Sequence, residues 1–481
     1  MMRSTRALWP AFALAACAGN PQPAQPDAVG GADRPAATTA APVAAAATPA
    51  ARPSAPVTIP VDYYTLDNGL RVVLSQDNSA PTATVAVYYN IGFRIEPRDR
   101  TGFAHLFEHM MFQGSENLGK NEFIQLVQNN GGNLNGSTRF DFTNYFEIVP
   151  SNALETMLWA EADRMRGLAI TEENLTNQQG VVMNEVKVNV LNQPYGGFPW
   201  IDLPMAANEN WHNAHNFYGD LEHLQAATLD DVRLFFEQYY APNNAALVVV
   251  GDFEPARTKA WIEQYFGDIP AVELAPQPDI GEPRQTAEKR HTRVDPQANR
   301  PALALGYKAP ESGTPEYYAL GVIEQILSAG RDSWLYQSLV QDQALTGSVS
   351  SSMNPLGNMH NIDGPTLYQV WLFHDSDRTA DQIVAAIDEQ IGRLQAAPVD
   401  QETLDRALVK IRSGLYSMLE SGFGRADLLA SFALFDDDPQ KINRLEAEFR
   451  KVTPELIQRV AREYLRNTNR TIVTVEPASA S

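Results

Sequence analysis

Two histidines and a glutamate fall within five residues at His105-Leu106-Phe107-Glu108-His109, inside a helical pattern from Gly102 to Gln113. Histidines at i and i+4 project from one helix face and can grip a single metal ion. Glu108, three residues after His105, is close enough to act on a water at the metal without taking a ligand place. Catalytic zinc uses three protein ligands and keeps a fourth position for water, and a carboxylate beside that water can serve as general base. Two histidines do not complete such a site, so a third nitrogen or oxygen ligand must come from elsewhere in the chain. The competing reading is a helix with two structural histidines, but with 8 histidines in 481 residues the H-x-x-E-H pattern is rare by chance. A single cysteine excludes an intramolecular disulfide and any cysteine-rich metal site. His212 and His215 are spaced H-x-x-H in a loop-like stretch and read as surface histidines. His223, His291, His360 and His374 have no partner pattern and read as structural.

The stretch GFAHLFEHMMFQGSE (Gly102–Glu116) resembles the inverted-zincin peptidases of the insulinase, pitrilysin and mitochondrial processing peptidase family, M16, in its short-chain bacterial form. LDNGLRVVL near the start, NNGGNLNGSTRFDFTNYFE (Asn129–Glu147), YYAPNNAALVVVGD (Tyr239–Asp252) and SWLYQSL (Ser333–Leu339) extend the likeness in order along the chain. The resemblance implies one zinc ion per chain, held by His105, His109 and Glu185, with Glu108 as the base. Glu185, in VVMNEVKV, lies 185 − 109 = 76 residues beyond the second histidine. Taken alone, a single glutamate on a helix reads as solvated. The resemblance also makes Gly131–Thr143 the strand beside the metal helix, where an extended substrate would add by backbone pairing, with Asn135 and Gly136 nearest the cleaved bond. An ordinary glycine-containing strand is the alternative there.

Two departures from the family's pattern matter. Gln178 stands where relatives commonly carry a glutamate seven residues before the ligand glutamate, which bears on how the metal site is tuned. In the C-terminal half, Val340 and Gly347 occupy the positions of an arginine and a tyrosine that hold the substrate carbonyl in active relatives. Neither side chain can donate a hydrogen bond, and such donors contribute roughly 10²–10³ in rate. The expected partner is therefore a homologous M16 subunit that supplies the arginine and tyrosine.

The elements that must position these residues are α+β. A strand, a turn at Asp67-Asn68-Gly69 and a second strand open the globular part, and Ala83–Asn90 is a further β-rich run. An internal repeat aligns TLDDVRLFFEQYYAPNNAALVVV from Thr228 with TPELIQRVAREYLRNTNRTIVTV from Thr453, an offset of 453 − 228 = 225. Each copy is an amphipathic helix leading through a polar turn into a buried-type strand. The expected architecture is two homologous halves closing as a clamshell, over residues 58–270 and 301–481, joined by a Pro-, Gln- and charge-rich linker over 271–300.

Residues 1–17 read as a signal peptide whose Leu14-Ala15-Ala16-Cys17 resembles a lipobox, with Cys17 the lipid-bearing residue. Residues 18–57 contain 15 Ala and 8 Pro and read as an extended, disordered tether. The expected place is the cell envelope or periplasm, as an outer-membrane lipoprotein attached through its lipid alone, with the leaflet left open. The net charge of −21 argues against nucleic acid as a partner. The functional expectation is a zinc endopeptidase acting on peptides or unfolded chains. Its rival is a non-catalytic binding or assembly subunit of the same fold, against which the complete H-x-x-E-H motif speaks.

Overall fold

The computed structural model of the chain describes residues 58–478; Cys17, the signal sequence and the tether lie outside the described residues. Strands β1 (Asp62–Thr65) and β2 (Arg71–Gln76) form the expected antiparallel hairpin. Its turn needs glycine, since Gly69 takes φ +87° and a Cβ there would meet Asn243 at 2.7 Å. With β3 (Thr82–Tyr89), β4 (Asn133–Thr138), β5 (Thr143–Pro150) and β6 (Ala245–Gly251) the hairpin builds a six-stranded sheet of order β1-β2-β6-β3-β5-β4. Only β2 and β6 run parallel, and β4 lies at an edge.

The second half repeats the plan. Strands β7 (Lys289–Asp295), β8 (Ala302–Lys308), β9 (Ser350–Ser352), β10 (Leu367–Phe373) and β11 (Arg470–Pro477) give a five-stranded sheet of order β7-β11-β8-β10-β9. The repeated units superimpose in their local chemistry. Thr228 and Thr453 cap the helices Leu229–Tyr239 and Pro454–Tyr464. Asn244 and Asn469 then donate to the carbonyls of Tyr239 and Tyr464, at 2.9 and 2.8 Å, turning the chain into β6 and β11. Each final strand pairs parallel on one side and antiparallel on the other. The interval expected as linker, 271–300, differs from expectation at its end, because residues 289–295 form β7. That strand is polar and mostly exposed at the sheet's edge, so it lacks the apolar alternation by which a strand is recognised.

The central strands β3 and β6 are buried along nearly their whole length, so the first sheet must be covered on both faces. One cover comes from the other half. Helix Gly422–Phe435, buried almost all round, packs on β3 and β6. In return helix Asp202–Ala207 of the first half packs on β8 and β11. The halves thus close as a clamshell in which each lends a helix to the other's sheet. Polar ties reinforce the exchange: Tyr88 donates to the buried Asp427 of the second half at 2.9 Å, and Arg94, paired within its own half with Asp141 at 2.7 Å, donates to the Pro365 carbonyl at 3.0 Å. Asp141 also accepts from the amides of Asp363 and Gly364 in the second half, at 2.9 and 3.3 Å.

Candidate metal centre and active site

The two histidines lie on helix Phe103–Met110, every residue of which is buried. A chain end so enclosed must have its first amides satisfied. Gly102 begins the helix at φ +84°, and Glu96 accepts from the amides of Gly102 (2.9 Å) and Ala104 (2.6 Å). Phe107 stacks on Phe235 at 4.9 Å and fixes the helix's rotation, turning His105 and His109 to the opposite side. Glu185 comes from helix Glu172–Val186, which Thr171 caps and which packs directly on the histidine helix before passing into a π-helical turn at Lys187–Leu191.

Across this helix pair the ligand atoms converge. His109 Nε2 is 3.3 Å and His105 Nε2 3.7 Å from the Glu185 carboxylate oxygens, and the three groups lie within 4.8 Å of one another. Ligands about 2.0–2.1 Å from a tetrahedral zinc ion would stand roughly 3.3 Å apart, so the spacing fits. The hydrogen-bond inventory agrees: both ring nitrogens of His105 and Oε1 of Glu185 are buried without a partner. Such orphaned buried polar atoms are costly unless a further group engages them. Burial first, and then the neighbouring His109 ring, push the His105 imidazole well below its ordinary pKa, keeping it in the neutral form a metal requires.

Glu108 sits beside this cluster and is not part of it. Its Oε2 accepts from the Thr138 hydroxyl at 2.8 Å. Burial raises its carboxyl pKa, opposed by His109, the Thr138 hydroxyl and Arg139. Asn135 and Gly136 lie on β4, opposite Phe146 and Tyr145 of β5, with the other edge of β4 unpaired within the sheet. Gly136 packs close to the acid, since a Cβ there would be 3.3 Å from Glu108 Cγ. Gln178 is buried on the glutamate helix and donates to Asn177. Val340 lies in the π-helical turn Tyr336–Asp342, and Gly347 is exposed with open space around it.

His215 corrects an expectation. Its side chain is buried, stacked on Trp211 at 4.3 Å, with Nε2 3.9 Å from Glu96 Oε2, because the segment folds back over the start of the histidine helix. His212 is half-buried and bonds through Nδ1 to the Arg94 carbonyl. Glu96 and Thr138 were missed by sequence reasoning. For Thr138 a signal existed: strand periodicity puts it on the same face as Gly136. For Glu96 there was none, since the loop that returns it to the helix start has no pattern.

Fold and site together define a metallopeptidase, and the chain belongs to family M16. Residues 71–195 match the family Insulinase (Peptidase family M16), and residues 226–410 match the family Peptidase M16 inactive domain. Among its relatives is the zinc protease PqqE of Helicobacter pylori, 29% identical over 420 residues, 86% of this chain and 92% of that protein. A crystal structure of a protease from Helicobacter pylori has a TM-score of 0.81 at 26% identity, covering 87% of this chain and 100% of the other. The fold also matches the periplasmic protease PqqL of Escherichia coli at TM-score 0.70 and 17% identity, covering 88% of this chain but 48% of PqqL.

Proposed function

We propose that this chain is the zinc-bearing subunit of an endopeptidase that hydrolyses peptides or unfolded polypeptides at the bacterial cell envelope. The observation that carries the reading is the convergence of His105, His109 and Glu185, with orphaned ligand atoms, beside a buried carboxylate that is not needed to hold metal. Those three residues would hold zinc, which supplies Lewis acidity toward a peptide carbonyl. Glu108 does the proton work. With Oε2 engaged by Thr138, Oε1 is left to take the proton of the attacking water and pass it to the departing amine nitrogen. The unpaired edge of β4 offers backbone donors and acceptors to an extended peptide, past Asn135 and Gly136, with little demand on its side chains.

Val340 and Gly347 provide no donor for the substrate carbonyl, so the active species is a heterodimer with a homologous subunit bearing the arginine and tyrosine. The PqqL chain, about twice the span matched here, supports the idea that such modules work in pairs. Lipidation at Cys17 and an outer-membrane location follow from the lipobox-like LAAC. The test is metal analysis paired with digestion of a quenched peptide, with and without the partner. Glu108→Gln should keep zinc and lose nearly all hydrolysis. Full zinc in Glu185→Ala would overturn the ligand set. Full activity of the chain alone would overturn the heterodimer, and an unmodified Cys17 the anchor.

A further inference from the structure

We propose that Thr138 is a positioning residue for Glu108: its hydroxyl, fixed on the inner face of β4, holds the carboxylate in one orientation with one oxygen occupied and the other free. Thr138 is fully buried, and its Oγ1 lies 2.8 Å from Glu108 Oε2 but 3.4 Å from the Ala104 carbonyl. A hydroxyl has one proton to give, and the shorter contact takes it. The donor itself cannot wander. Threonine is stiff at χ1, and Thr138 pairs in register with Thr143 of β5, whose own hydroxyl is tied to the Ile91 carbonyl at 2.7 Å.

A glutamate has three rotatable bonds, so without such a tether its carboxylate samples several directions. The strand restrains it twice. Gly136, two residues before Thr138 and on the same face, packs its backbone close to Glu108, so that a Cβ there would make a tight 3.3 Å contact with Glu108 Cγ. The opposite edge of β4 is the one free for an extended peptide. One strand therefore sets the place of both the peptide and the base, and small errors in such geometry are expensive in rate.

The inference rests on Glu108 being the base, and the experiment separates the two. Thr138→Val removes the hydroxyl at nearly constant shape, and Thr138→Ser keeps it; both are measured in the assembled enzyme beside Glu108→Gln. Loss of a hydrogen bond to a carboxylate corresponds to roughly a 10- to 100-fold fall in kcat for Thr138→Val. KM and zinc content should stay within about twofold, and Thr138→Ser should recover most of the loss. A readout without turnover is the melting temperature of the metal-free protein. Thr138→Val should lower it in the native background and leave it nearly unchanged when Glu108 is already alanine. If Thr138→Val does not fold, Thr138→Ala serves in the same comparisons. Unchanged kcat in Thr138→Val while Glu108→Gln is dead, zinc lost together with activity, or no rescue by serine overturns the inference. Activity retained by Glu108→Gln overturns the base reading and the positioning role with it.

Discussion

Replacing Asp141 by alanine should loosen the two halves from each other. The Arg94–Asp141 pair has side chains only 1% and 7% exposed, at 2.7 Å, so its charges are shielded from water and depend on one another. Deleting one partner of a buried pair costs about 3–5 kcal/mol, because the remaining charge is left uncompensated. Arg94 would keep the Asn213 side chain, the Pro365 carbonyl and the Phe140 ring, none of which carries a compensating charge. The buried amide of Gly364 would lose its acceptor as well, adding about 1 kcal/mol. The sum, about 4–6 kcal/mol, is a large part of the 5–15 kcal/mol that a folded domain has in total. The assay is a urea titration followed by tryptophan fluorescence. With a slope of about 3 kcal/mol per M, the midpoint should fall by roughly 1.5 M. Asp141→Asn, which can still accept from the loop amides, should fall less. A shift below about 0.3 M for Asp141→Ala would refute the view that Asp141, buried against Arg94 and accepting from the second half's loop, ties the halves together.

Glu324, raised from 4.5 to about 7 by burial despite the Ser351 hydroxyl, prefers its neutral form in the fold. Its stabilisation is therefore full below pH 4.5 and lost as the pH rises through about 7; melting profiles of Glu324→Gln should be flatter between pH 5 and 8, and identical profiles would reject the argument. Glu96→Ala removes the acceptor for two amides at the start of the histidine helix and should weaken zinc roughly 10- to 100-fold in a chelator competition, whereas an unchanged affinity would show that the helix needs no such brace. Zinc at about 1,000 times its Kd should stabilise the fold by about 4 kcal/mol, so chelation should lower the melting temperature of the native chain and leave His109→Ala unmoved.

Legibility followed the distance over which each feature is set. The H-x-x-E-H face, the turn at Gly69 and the twin helix-turn-strand units depend on residues a few positions apart, and periodicity carries that information. Thr228 and Thr453 cap their helices by contacts three residues away. The third ligand was different: Glu185 was recognisable by likeness to a family, while its own surroundings say only helix. It becomes a ligand candidate because one helix packs on another and brings its oxygens to the two imidazoles. The same holds for Glu96 over the helix start, for the burial of His215, and for Thr138 under Glu108. The exchange of helices between the halves was not readable at all, since an apolar helix such as Gly422–Phe435 states that it must be covered but not by which sheet. The sequence by itself determined the chemistry available and the local elements that carry it, because backbone geometry ties neighbouring residues to fixed faces. Tertiary structure decided which of those faces meet, because that choice is made by the burial and shape of the whole chain, over separations that no local spacing records.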